Sequence, residues 1–179
     1  MTSQAYNIFE WDFLNANSWE QRKDGVPLNL LDALDASDKK LAEDALIEKL
    51  SLRDDWPARG LGHIRSQKSL PKLRELFPHA NGTMRAAIAL AIWQIARDKN
   101  MRDELINLSI SEYTDDDKSS KTFTMIDVIH CLAHLPYPEV VERLEKLKTS
   151  ANSFIAYNAN YALGLRSTYY AKDVQSAID

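Results

Sequence analysis

At 179 residues, with 45% apolar and 27% charged side chains, the chain has the make-up of one folded domain with a sizeable core. Five glycines and six prolines are too few for a turn-rich all-β fold or a disordered chain, and a formal charge of −4 disfavours general binding to nucleic acid or anionic membranes. The lone Cys131 cannot close an intrachain disulfide, no basic-then-apolar opening marks a secretory signal, and no apolar run is long enough to span a bilayer, so a soluble cytoplasmic protein is expected.

Residues 1–24 read as an irregular, aromatic-rich cap. Tyr6, Phe9, Trp11, Phe13 and Trp19 fall there; Phe9 to Phe13 alternates like a strand, yet Phe9 and Phe13 would also share a helix face. Gly25-Val26-Pro27 breaks the chain, and a first helix pair is expected over 27–52. Pro27 opens a short helix through Leu28, Leu31 and Leu34. Ser37 is the expected N-cap of the next, whose apolar stripe is Leu41, Ala42, Ala45, Leu46 and Leu50.

Repeats are then expected over 54–178. Asp54 and Asp55 are placed to cap a helix that begins near Trp56 and ends near Arg65–Ser66. Leu70, Leu73, Leu76 and Phe77 line the following helix, which Pro78 terminates. After an Asn81-Gly82 turn, Thr83 is expected to cap the longest and most apolar helix, Met84 to Arg97. A helix apolar over most of its girth requires burial between two layers. A helix through Met101, Leu105 and Leu108 leads into a polar loop at 111–121. The remaining helices are expected at Thr122–Leu135, Glu139–Lys148, Phe154–Leu165 and Tyr169–Ile178, and no strand is expected.

These segments form a ladder. Gly60, Leu61 and Ile64 stand 31 residues before Ala91, Ile92 and Ile95, which stand 40 residues before Cys131, Leu132 and Leu135. A second ladder runs Leu73 and Leu76, then Leu105 and Leu108, then Leu144 and Leu147. Two-helix units at such a period cannot bury their apolar faces alone and must stack on one another. The pattern predicts an all-α chain: an α-α superhelix of about five helix pairs behind the N-terminal cap.

Pro57-Ala58-Arg59-Gly60-Leu61-Gly62-His63-Ile64, followed by Ser69-Leu70-Pro71-Lys72-Leu73, resembles a HEAT repeat of the short kind named after phycobilisome lyases. Arg85 to Leu90 and Ala162-Leu163-Gly164-Leu165 echo its first-helix half, so the resemblance covers about 50–165. It implies a HEAT-like solenoid, with the second helix of each repeat lining the concave side. Lys72 then aligns with Glu104 and Arg143, and Glu75 with Asn107 and Lys146. These charges form either salt bridges between repeats or a mixed-sign partner-binding face. Near the C-terminus Phe154, Tyr157, Tyr161, Tyr169 and Tyr170 gather with Asn158 and Asn160, a mixture found at interfaces and also at capping edges.

No catalytic constellation emerges. His130 and His134 share a helix face at the spacing of a zinc pair, but no glutamate base and no third ligand accompany them. Cys131 occupies the small ladder position and reads as packed. Asp115, Asp116 and Asp117 are contiguous, whereas a calcium loop needs alternating ligands and a glycine turn. Glycine-rich phosphate loops and nucleophile elbows are missing from the sequence, and no catalytic, cofactor or metal residue is assigned.

Residues 51–100 hold nine bases against four acids, flanked by acidic stretches. Arg53, Arg59, Arg65, Lys68, Lys72 and Arg74 either neutralise stacked neighbours or seek an anion. The leading expectation is a non-enzymatic protein-binding module, such as an inhibitor or a toxin-neutralising, immunity-type protein. The alternative is a nucleic-acid-binding or repair protein resembling HEAT-like alkylpurine glycosylases, which Trp56, Trp93 and the basic middle would serve. A lyase-like subunit is a third. A protein partner is expected, with neither nucleic acid nor membrane, and the oligomeric state is left open.

Overall fold

The computed structural model describes residues 2–111 and 120–175, with side chains for 2–110 and 121–166. Among these residues there are helices and no strand, as the periodicity predicts. The chain divides into two compact units, Met1–Asp98 and Lys99–Asp179.

The first unit holds α1 (Gln4–Phe9), a π-helical turn at Glu10–Leu14, α2 (Trp19–Arg22), α3 (Asn29–Asp32), α4 (Ala36–Lys49), α5 (Trp56–His63), α6 (Leu70–Leu76) and α7 (Gly82–Ala96). The expected irregular cap is thus helical. Ser3 caps α1, and Tyr6, Phe9 and Phe13 turn one aromatic face inward, where Phe13 meets Trp56 edge-on at 5.6 Å. Burial outweighs the strand-like alternation, because only a helical turn puts Tyr6 on the same side as Phe9 and Phe13.

Capping differs from expectation at two helices. Asp35, not Ser37, caps α4: its carboxylate accepts from the Asp38 N–H at 2.9 Å, and the Ser37 hydroxyl donates to it. Asn81 holds the N-cap position of α7, so that helix starts at Gly82, before Thr83. At α5 Asp55 holds the N-cap position without a side-chain bond, and Asp54 Oδ1 accepts from the Trp56 N–H at 3.1 Å. That helix closes with Arg65 in the left-handed region, the Ser66 N–H reaching back to Leu61 O. Helix α7 is buried continuously from Ala86 to Trp93, packed by α5 and α6.

The second unit holds α8 (Lys99–Ser111), α9 (Ser120–Ala133), α10 (Pro138–Leu147) and α11 (Ser153–Gln175). Ser120 and Lys121 belong to α9 and not to a loop. The acidic run Asp115–Asp117 lies outside the described residues. The expected final pair, Phe154–Leu165 and Tyr169–Ile178, is one continuous helix, α11. No glycine turn or proline separates the two halves, so nothing breaks the hydrogen-bond ladder.

Within each unit, links run between alternate elements at rising positions. Arg22 pairs with Asp54 and Asp32 with His63; Asp44 pairs with Lys68, and Ile47 O accepts from Lys72. In the second unit Arg102 pairs with Glu139 and Ser109 bonds Arg143, while Thr122 meets Asn152, His130 meets Asn158 and Leu135 O accepts from Arg166. Both members of successive links advance together, so α4 and α6, α8 and α10, and α9 and α11 run parallel. The ladder residues Leu61, Leu73, Ala91, Ile92, Leu105, Cys131, Leu132, Leu135 and Leu144 are all buried.

Candidate partner-binding surface

The second-helix residues fall in both units. On α6, Lys72 Nζ donates to Ile47 O at 2.7 Å, and Glu75 is exposed. On α8, Glu104 is half-buried and Asn107 exposed. On α10, Arg143 donates through Nε to Ser109 Oγ at 2.9 Å and through Nη2 to Ser109 O, while Lys146 is exposed. Burial pulls the Arg143 pKa below its ordinary value.

Lys72 and Arg143 therefore act as cationic caps. Lys72 reaches the last turn of α4, where Ile47 O also accepts from the Leu50 N–H at 3.4 Å, and Arg143 reaches Ser109 of α8. The device recurs: Arg85 Nη1 donates to Phe77 O and Ala80 O at 3.3 Å, and buried Arg166 donates to Leu135 O at 2.6 Å. A binary charge pattern cannot reveal this role, because the acceptor is backbone.

Much of the basic middle is internally engaged, whereas Arg53 is exposed. Arg59 pairs with Asp55 at 2.5 Å, Lys68 with Asp44 at 2.5 Å and Arg74 with Asp98 at 3.0 Å. Trp56 and Trp93 are buried, with Arg22 and Arg97 over their rings. Buried indoles offer no face for base stacking.

The exposed aromatics form a different surface. Phe154, Tyr157 and Tyr161 of α11 are 67%, 70% and 50% exposed, and their spacing puts them on one helix face. On the packed neighbour α9, Phe123 is 72% exposed. His130 of α9 is tied to this face: its Nε2 lies 3.0 Å from Asn158 Oδ1, and its ring meets Tyr161 edge-on at 6.1 Å. Asn158 Nδ2 donates to Phe154 O at 2.8 Å. His130 thus positions an aromatic strip. Among the described residues no three His, Cys, Asp or Glu side chains gather as metal ligands. Cys131 is buried, at the small ladder position. The side chains of Tyr169 and Tyr170 lie outside the described residues.

Such a strip suits association. Each large aromatic buries roughly 150–250 Å² on contact while a tyrosine hydroxyl keeps a polar handle. Phe123 was invisible to periodicity reasoning, since it occupies the exposed side of a helix otherwise read for its core. Trp11 and Trp19, at 71% and 74% exposed, were read as part of a cap and are likewise at the surface. Comparison with family models, curated proteins and solved structures finds no match to this chain.

Proposed function

We propose that the chain is a HEAT-like helical stack working in the cytoplasm as a non-enzymatic protein-binding module, of the inhibitor or toxin-neutralising kind. The aromatic strip carries this reading: Phe154, Tyr157 and Tyr161 aligned and exposed on α11, with Phe123 on α9. Parallel alternation of helices within each unit and burial of the ladder residues support the repeat architecture. Glu75, Asn107 and Lys146, exposed on their helices, add polar contacts. Lys72 and Arg143 contribute by holding helix ends in place.

The test is affinity capture from the native host with the tagged wild-type chain and with Tyr157→Ala/Tyr161→Ala. One protein recovered in near-equal amount with the wild type, and lost with the double variant, is the expected result. Truncating two interface aromatics costs about 2–4 kcal/mol when they are hot spots. Recovery of nucleic acid at low salt, in place of a stoichiometric protein, refutes the reading. Suppression of the captured protein's own activity by the wild-type chain identifies an inhibitor.

A further inference from the structure

The first unit contains a cleft of about 640 Å³, walled by the turn after the π-helical segment, the end of α4 and the start of α5. Leu14, Asn15, Arg22, Lys49, Asp54 and Pro57 are among its lining residues. Two cations against one carboxylate leave this lining net positive, although residues 1–50 as a whole hold ten acids and five bases.

The cations are held in place before any ligand arrives. The Arg22 guanidinium lies 4.2 Å over the Trp56 ring and donates through Nη2 to Asp54 at 2.5 Å. Its Nε and Nη1 make no hydrogen bond among the described residues. Lys49 Nζ bonds Asn15 Oδ1 at 3.2 Å, which occupies one of three ammonium hydrogens. The wall between them is braced by Gln21: its Oε1 accepts from Asn17 N and Ser18 N at 3.2 and 3.3 Å, and its Nε2 donates to Trp11 O at 3.1 Å. Pre-ordering of this kind lowers the entropic cost of binding.

Two exposed indoles belong to the segments that flank the cleft without lining it, and Lys23 Nζ lies 5.6 Å over the Trp19 ring. Trp19 is 74% exposed and precedes Arg22 by three positions on α2, so the two share a side of the helix. Trp11 is 71% exposed, and its carbonyl is joined through Gln21 to the turn that lines the cleft. Tryptophan and arginine are the residues enriched in interface hot spots.

The geometry points to this cleft as the docking site for an acidic peptide segment of a protein partner, one carboxylate gripped by Arg22 and Lys49 and a neighbouring apolar side chain resting on Trp19. The charge count selects a carboxylate. Arg22 and Lys49 against Asp54 leave one positive charge, which a monoanion matches, whereas a phosphate dianion would face Asp54 without full compensation. The Nε and Nη1 groups that Asp54 leaves open are charged donors, which strengthen a hydrogen bond to a carboxylate oxygen. This assignment rests on the protein-binding reading and adds to it the chemistry of the segment bound.

The blocked dipeptide acetyl-leucyl-glutamyl-amide, with its glutaminyl isostere as control, tests the cleft on the full chain by tryptophan fluorescence. A saturable change with the glutamyl peptide is expected, at least about tenfold weaker for the isostere and for Lys49→Glu, and about fivefold weaker for Trp19→Ala. Lys49 and Trp19 are exposed, so both variants should keep the wild-type helical circular dichroism. Equal response to the two peptides, no saturation up to about 10 mM, or wild-type affinity in Lys49→Glu overturns the assignment. Tighter binding of inorganic phosphate than of the glutamyl peptide does so too. If the dipeptide fails while a stoichiometric partner is still captured, the cleft assignment falls and the protein-binding reading stands. If the dipeptide binds and no partner is captured, that reading falls and the cleft stands as a carboxylate site.

Discussion

Gly62→Ala sets two opposed effects against each other at the crossing of α5 and α7. A Cβ at Gly62 would lie 2.8 Å from Ala91 Cα, 3.0 Å from Ala91 Cβ and 2.4 Å from Gln94 Oε1. The Gln94 side chain can swing away, but Ala91 Cα is backbone of the most buried helix and cannot move without shifting α7. Alanine in place of glycine favours a helix by about 0.5–1 kcal/mol. Gly62 is the penultimate residue of α5, so this gain sits at the low end. Overpacking costs about 1–3 kcal/mol. The net expectation is a loss of about 1–2 kcal/mol. Gly164→Ala is the matched control: it lies inside α11, a Cβ there meets nothing within 4 Å, and the expected change is a gain of about 0.5–1 kcal/mol. Urea unfolding followed by circular dichroism and by tryptophan fluorescence measures both, with unchanged m-values required for a direct comparison. A Gly62→Ala chain as stable as the wild type refutes the close approach of α5 and α7.

Ala91→Leu attacks the same crossing from the other helix and should cost about 1–3 kcal/mol in the same assay; an unchanged midpoint would remove the ladder's small position as a packing constraint. Arg166→Met keeps the bulk of a buried side chain but strips Leu135 O of its charged donor, and a loss of about 1–3 kcal/mol is expected by urea unfolding. The Asp35 carboxyl is held below its ordinary pKa first by the Asp38 N–H and then by the Ser37 hydroxyl. Its contribution to stability is therefore complete above the unfolded value of about 3.9 and is lost as pH falls through the lower folded value. An Asp35→Ala chain should show a flatter stability–pH curve across that window, and a curve parallel to the wild type would rule out Asp35 as the cap of α4.

Much of the core was legible because a buried helical face repeats every 3.6 residues. Leu73, Leu105 and Leu144 recur in the text and are buried in the structure. The ladder's small position does mark a tight contact at Ala91, but its partner there is Gly62, which lies outside the ladder. Gly60 heads the ladder, but a Cβ there meets only side chains, Phe13 Cζ at 3.0 Å and Leu46 Cδ1 at 3.1 Å, which can yield. The closest backbone approach is at Gly62. Charge columns misled for a related reason. Lys72 and Arg143 share their column with Glu104, yet they donate to the backbone carbonyls of Ile47 and Ser109.

Helical class, the breaks at Gly25-Val26-Pro27 and Pro136-Tyr137-Pro138, and the identity of the inward faces follow from composition, periodicity and backbone stereochemistry, all local properties of the chain. Which aromatics stay outside, and how Arg22 and Lys49 come to line one cleft, depend on partners far along the chain. Arg22 finds Asp54 across 32 residues and Lys49 finds Asn15 across 34. Burial and hydrogen-bond satisfaction decide such pairings only once the helices have packed, so no local pattern encodes them.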